Sequence, residues 1–357
     1  MNLEKQFFGP AKGETQGQSI WQAPSNIALV KYWGKFGDQY PKNASLSFTL
    51  THSHTTTRVE FSPKKATEKV NYDFRFEGAS APQFHPKLDA FFARILPYVP
   101  LLAGHHLQIA SENSFPHSSG IASSASAMAA LALCIMDIEA AVNPSISPAY
   151  FFQKASFLAR LGSGSAARSI TGPLVYWGEH SDYAGSSNLF GLPLDEVHPD
   201  FKTYQDTILL VDRGHKKVSS TLGHQLMEGH PFATARFDQA QQNMARLKGI
   251  INTGALDDFV DLVETEALSL HAMMLSSSPS FILMKPHTLS IIEAIRDFRN
   301  TTKIPLCFTL DAGANVHLLY PAQAKDKVAP FIASALVPFC ENGSYIDDCV
   351  GQGAKKM

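Results

Sequence analysis

Four short segments of this 357-residue chain gather residue types suited to phosphate and proton chemistry. The first runs Ser114-Phe115-Pro116-His117-Ser118-Ser119-Gly120-Ile121-Ala122-Ser123-Ser124-Ala125-Ser126, between a strand-like and a helical pattern. Small residues let the backbone approach a ligand, and the first amides of a helix lack intrahelical partners, so the junction suits a phosphate chain. The Ser123 and Ser124 hydroxyls can add donors, or ligate a Mg2+ that travels with a nucleotide. A serine N-cap on a core helix would show the same residues. No Gly-Lys-Ser/Thr follows, which excludes a Walker A loop.

The second segment, Ala23 to Lys35, is an apolar strand that delivers Lys31, Tyr32 and Lys35 together at its end. Two lysines so close repel unless an anion lies between them or water solvates both. The third, Gly162-Ser163-Gly164-Ser165-Ala166-Ala167-Arg168-Ser169, reads formally as a dinucleotide fingerprint. A helical pattern precedes it where that fold needs a strand, so an oxidoreductase is disfavoured. A serine/glycine turn with one arginine suits a phosphate or carboxylate, or is simply a solvated turn. In the fourth, Thr309 to Val316, Asp311 ends an apolar strand beside a glycine turn. It is either a general base facing a cleft or an aspartate bonding its own turn amides.

The elements that must position these segments are strands and helices in irregular alternation, which argues α+β. Ile27 to Val30, Ser45 to Thr57, Thr55 to Phe61, Val70 to Phe76, His106 to Ser111, Leu174 to Trp177, Thr207 to Val211, Leu306 to Leu310 and Val316 to Tyr320 read as strands. Helical periodicity covers Leu88–Tyr98, Ser124–Ala141, Tyr150–Leu161, His230–Ile251, Leu256–Met274 and Thr288–Asn300. A composition change near Ser181 to Pro199 predicts two domains, 1–195 and 196–357.

Net charge is -2, so nucleic acid or an anionic membrane is not an expected partner. The apolar run from Ala127 to Ile138 is too short to span a bilayer, and Met1 to Gln18 lacks the apolar core of a signal peptide. The four cysteines are scattered without a CxxC, as expected of free thiols in a reducing cytoplasm. No HxxxH or GxSxG spacing supports a zinc site or a serine hydrolase.

Taken in order, the four segments resemble the diphosphomevalonate decarboxylase family of the GHMP superfamily. Asn26 to Lys35 is similar to its Asn-Ile-Ala-x-x-Lys-Tyr-Trp-Gly-Lys signature, and Phe115 to Ser124 to its phosphate loop. Gly162 to Ser169 and Phe308 to Asn315 resemble two more family elements, while Val218 to Thr221 and Leu270 to Ala272 are weaker matches. The chain departs from the pattern with His117-Ser118-Ser119 in the loop and Thr221 where some members carry arginine.

The resemblance implies a GHMP-kinase fold, with a ribosomal protein S5 domain 2-like N-terminal domain and a ferredoxin-like C-terminal domain around a cleft. It implies ATP-driven decarboxylation of 5-diphosphomevalonate to isopentenyl diphosphate, with Mg2+, in a cytoplasmic homodimer. Asp311, Lys31 and Arg168 are then the catalytic candidates. Tyr32, Trp33, Gly34, Lys35, Ser163, Gly164, Ser165, Ala166, Ala167, Ser220 and Thr221 would bind the substrate. Ser118, Ser119, Gly120, Ala122, Ser123 and Ser124 would hold the ATP phosphates, with Ser123 and Ser124 toward the metal. Relatives acting on the 5-phosphate, a kinase that stops at the 3-phosphate, and a non-catalytic sensor are the competing readings.

Overall fold

The structure is a computed structural model that describes residues 3–116, 121–214 and 220–357. Its first half is built on strands β1 (Gly17–Val30), β2 (Lys35–Phe36), β3 (Tyr40–Pro41), β4 (Ser45–Pro63), β5 (Asn71–Phe76), β6 (Ala79–Ser80), β7 (His105–Asn113), β8 (Leu174–Trp177) and β9 (Leu192–Pro193). Apart from the separate β2–β3 pair these strands belong to one sheet, on which helices α1 (His85–Ile95), α2 (Ser123–Val142) and α3 (Pro148–Gly162) pack. In the second half, β10 (Gln205–Leu209), β11 (Cys307–Leu310), β12 (Val316–Tyr320) and β13 (Tyr345–Cys349) form a separate antiparallel sheet in the order β11-β12-β10-β13. It is accompanied by α4 (Pro199–Lys202), α5 (Ser220–Gln225), α6 (Ala233–Thr253), α7 (Leu256–Leu275), α8 (Pro286–Thr302) and α9 (Lys325–Phe331). The last strand, β14 (Lys355–Lys356), returns to pair with β1 in the first sheet.

The two strands expected across Ser45 to Phe61 are one, β4, and its continuity has a cost. Its first part pairs with β8, its second with β7, and both pair with β1. Between Pro24 and Asn26 the register slips, leaving Leu50 to Ser53 outside the β1 ladder. Amides freed by such a bulge need another acceptor. Asp348 of β13 supplies it: Oδ1 accepts from Thr51 and His52, and Oδ2 from Ser53, at 2.9, 2.8 and 2.7 Å. One carboxylate thus stitches the second sheet to the bend of the first.

Helix α2 is apolar almost all round, because the fold buries it on nearly every side. At 20 residues it is longer than the run read from the sequence. By length and composition it could cross a membrane, yet 72% of its apolar window is buried inside the protein. Its apolarity is therefore explained by packing.

Asp348→Ala should lower stability by about 2–4 kcal/mol, since it strands several amides at once. A urea unfolding midpoint equal to that of the wild type would contradict this role.

Candidate active site

Four of the chemistry-bearing segments meet where the two halves face one another. Lys31 leaves the end of β1 directly after Ile27 to Val30, all buried, and is itself only 2% exposed. Its Nζ lies 3.9 Å from Asp311 Oδ1 and has no hydrogen-bond partner among the described residues. Burial pulls its pKa down to about 8, against the raising effects of Asp311 and Glu266 and with a further lowering by Arg168. The Lys31 backbone is fixed by Glu266 of α7, whose Oε2 accepts its N–H at 2.9 Å. That carboxylate also pairs with Arg236 and accepts from Asn243, so its charge is compensated.

Arg168 closes the one-turn 3-10 helix Gly164–Arg168 and is 1% exposed. Its guanidinium donates to Ser47 Oγ at 2.6 Å and to Ser45 Oγ, both on β4, and stacks over Trp177. Burial lowers its pKa to about 10, so it remains a cation at neutral pH. Tyr32 packs against Trp177, with its hydroxyl buried and unpartnered among the described residues. A Cβ on Gly164 would stand 2.7 Å from that hydroxyl, so only glycine permits this approach. Asn26 donates to Ser165 O and Ser169 Oγ, binding the turn to β1.

Asp311 follows β11 and is held from behind by a neutral imidazole. His271 Nε2–H donates to the Asp311 carbonyl at 3.1 Å, and burial lowers the His271 pKa to about 4. The side chain of Asp311 stays 30% exposed.

At the N-terminus of α2 the serine-cap alternative fails. The cap position is Ala122 in a left-handed conformation (φ 43°), and no side chain among the described residues caps the helix. The Ala125 N–H donates to the Ala122 carbonyl at 2.7 Å, and a helix start of this kind suits an anion. Ser124 Oγ lies 3.2 Å from Ser163 Oγ, which brings this helix end against the Gly162–Arg168 turn.

Beside it lies a cleft walled by Phe74, Phe76, Phe84 and Met128 and reached by Lys87 and Ser124. Sequence reading missed this cleft. The signal was the alternation of half-buried aromatics, Tyr72, Phe74 and Phe76, along β5. Lys87 is an exposed residue of this lining.

Other candidates are placed differently. Lys35 lies at the rim, with Nζ donating to Gln39 Oε1 at 3.0 Å. Trp33 is buried in an apolar cluster with Met227, Leu270 and Met274, and Ala166 and Ala167 are buried as well. Ser118, Ser119 and Gly120 lie outside the described residues, as do the side chains of Ser220 and Thr221, which begin α5.

Comparison with known proteins identifies the family. The diphosphomevalonate decarboxylase-like N-terminal domain matches residues 23–188, and the mevalonate 5-diphosphate decarboxylase C-terminal domain matches residues 207–353. Diphosphomevalonate decarboxylase of Candida albicans is 30% identical over 320 residues, covering 86% of this chain and 85% of that protein. Phosphomevalonate decarboxylase of Haloferax volcanii is 29% identical over 316 residues, covering 85% and 89%. A solved structure of MDDEF in complex with MVAPP, AMPPCP and magnesium is similar at a TM-score of 0.81 and 26% identity, covering 96% of this chain and 99% of that one. With its α+β GHMP-kinase fold, the chain belongs to the diphosphomevalonate decarboxylase family.

Proposed function

We propose that this protein uses ATP to decarboxylate 5-diphosphomevalonate, giving isopentenyl diphosphate, CO2, ADP and phosphate. The observation that carries the reading is the Lys31 ammonium, buried and unpartnered but for Asp311 at 3.9 Å, with Arg168 close enough to depress its pKa. Two cations so placed suit a substrate with several negative charges.

Asp311 takes or orients the proton of the tertiary hydroxyl as that oxygen bonds to the γ-phosphorus and the bond to ADP breaks. Lys31 stabilises the charge that develops on the transferring phosphoryl group. Phosphate then leaves carbon 3, and the electrons of the breaking carbon–carboxylate bond form the alkene as CO2 departs. Arg168, clamped by Ser45 and Ser47, aligns the acid. Tyr32, Lys35 and the Ser163–Ala167 turn hold the diphosphate.

The nucleotide fits the remaining features. The apolar, aromatic cleft takes a base, and the uncapped start of α2 takes the phosphate chain. The Ser123 and Ser124 hydroxyls would offer oxygens to a phosphate-bound Mg2+, which would supply charge neutralisation on the phosphates. We place the domains at 1–195 and 196–357, the enzyme in the cytoplasm, and its assembly as a homodimer.

A second reading, decarboxylation of the 5-phosphate, is favoured by the Haloferax relative, whose identity to this chain is nearly the same. Purified protein incubated with ATP and mevalonate, its 5-phosphate or its 5-diphosphate should release CO2 and ADP fastest with the diphosphate. ADP without CO2 would sink the decarboxylase reading. Asp311→Asn should lower kcat by about 10²–10⁴ while ATP still binds, and wild-type turnover would remove Asp311 from the mechanism.

Lys31 also sets a pH dependence. As pH rises through about 8 the free enzyme loses this ammonium, so kcat/KM should fall there. Stability runs the other way. The unfolded chain holds the Lys31 proton up to 10.5, so between pH 8 and 10.5 the native state gains on the unfolded one. Replacing Lys31 with Met should abolish both trends, and a kcat/KM profile flat to pH 9.5 in the wild type would contradict the assignment.

A further inference from the structure

The corner that carries Tyr32 and Lys35 is gripped from the opposite half of the protein by α5. The Gly34 N–H donates to His224 Nδ1 at 2.9 Å, across 190 residues of sequence. The imidazole lies 4.3 Å from the Tyr32 ring and 4.9 Å from Trp33, and the residue is 8% exposed. Gly34 itself has φ +88°, a conformation that favours glycine, and a Cβ there would meet the Phe237 ring at 2.8 Å. On α5, a Cβ at Gly223 would stand 2.5 Å from the Trp33 ring, so the helix backbone is pressed onto the indole. Two glycines and one imidazole therefore define how the corner docks.

The protonation state follows from the geometry. Nδ1 accepts the Gly34 amide, so the neutral ring carries its proton on Nε2. A second proton would set N–H against N–H. Burial first, then Lys35 and Arg168, keep the ring neutral, with a pKa lowered to about 3. A glycine in this conformation is the most pliable point between Tyr32 and Lys35, and its buried amide has one acceptor, supplied by a side chain of the other half.

We infer that His224 is a positioning residue for substrate binding: by accepting the Gly34 amide it fixes the angle at which Tyr32 and Lys35 are presented to the phosphorylated end of the substrate. The inference rests on the reading that this corner binds that phosphate. Nothing in the segment's sequence announced it, since a lone histidine in a short helix is most often a satisfied packing residue.

Two variants separate positioning from packing. His224→Leu keeps the volume and removes the acceptor, whereas His224→Asn can offer an oxygen near the position of Nδ1. We expect the leucine variant to raise KM for 5-diphosphomevalonate by about tenfold or more, equivalent to about 1.4 kcal/mol. KM for ATP should stay within about twofold, and the asparagine variant should recover most of the loss. An unchanged KM for the phosphorylated acid in the leucine variant would overturn the inference. So would an equal rise in both KM values, or an asparagine variant as impaired as leucine. Calorimetric titration with inorganic pyrophosphate gives a readout independent of turnover. If the wild type decarboxylates none of the three mevalonate compounds, the functional reading fails, and pyrophosphate still decides His224. Weaker binding to the leucine variant sustains the inference, and equal binding ends it.

Discussion

The rest of the site depends on one costly fact, a lysine ammonium taken out of water at the end of a buried strand. At a pKa of about 8, Lys31 gives up roughly 3 kcal/mol of its preference for the charged form relative to the unfolded chain. A fold tolerates this only if something repays the desolvation. Asp311 does so in part, from 3.9 Å. Glu266 has a smaller effect on the ammonium than Asp311 and is committed to Arg236, Asn243 and the Lys31 amide, so it fixes the backbone more than it satisfies the ammonium. An anionic substrate beside Lys31 offsets the rest of that desolvation, so binding draws on the charge that the fold buries at a cost.

That constraint explains why so many distant segments converge. A buried cation cannot be aimed by solvent-exposed loops, so each partner is held by a regular element. The β1 ladder holds Lys31, β4 serines hold Arg168, and α7 supplies both Glu266 and His271. The bulge in β4 lets a single long strand serve β8 beside Arg168 and β7 beside the aromatic cleft. Asp348 makes that bend affordable by accepting its amides.

Legibility in the sequence followed the range of each interaction. Ile27 to Val30 and the helix α2 declared themselves because an unbroken apolar run has few other uses. Asp311, Lys31 and Arg168 were legible as an ordered set of motifs, though each alone had an ordinary alternative. What stayed hidden was long-range. The slip at Pro24, the reach of Asp348 to Thr51, and the acceptor role of His224 toward Gly34 join residues far apart, and no local pattern encodes such pairs. The start of α2 misled for another reason. Ser123 and Ser124 have the side chains of caps, but Ala122 occupies the cap position in a left-handed turn, leaving the serines inside the helix.

Neutrality is as deliberate a feature of the site as charge. Two imidazoles flank it, and both are held uncharged, His271 beneath Asp311 and His224 beneath Gly34. Each has its tautomer set by a backbone group, one donating to a carbonyl and one accepting an amide. Imidazolium at either place would add a cation beside Lys31 or Arg168, and at His224 it would also cancel the hydrogen bond that shapes the corner. With both rings neutral, the field that an incoming polyanion meets is set by Lys31, Lys35 and Arg168 against Asp311. The histidines can thus orient the backbone without adding a charge of their own to that field, and the pH dependence of the grip on substrate is left to Lys31.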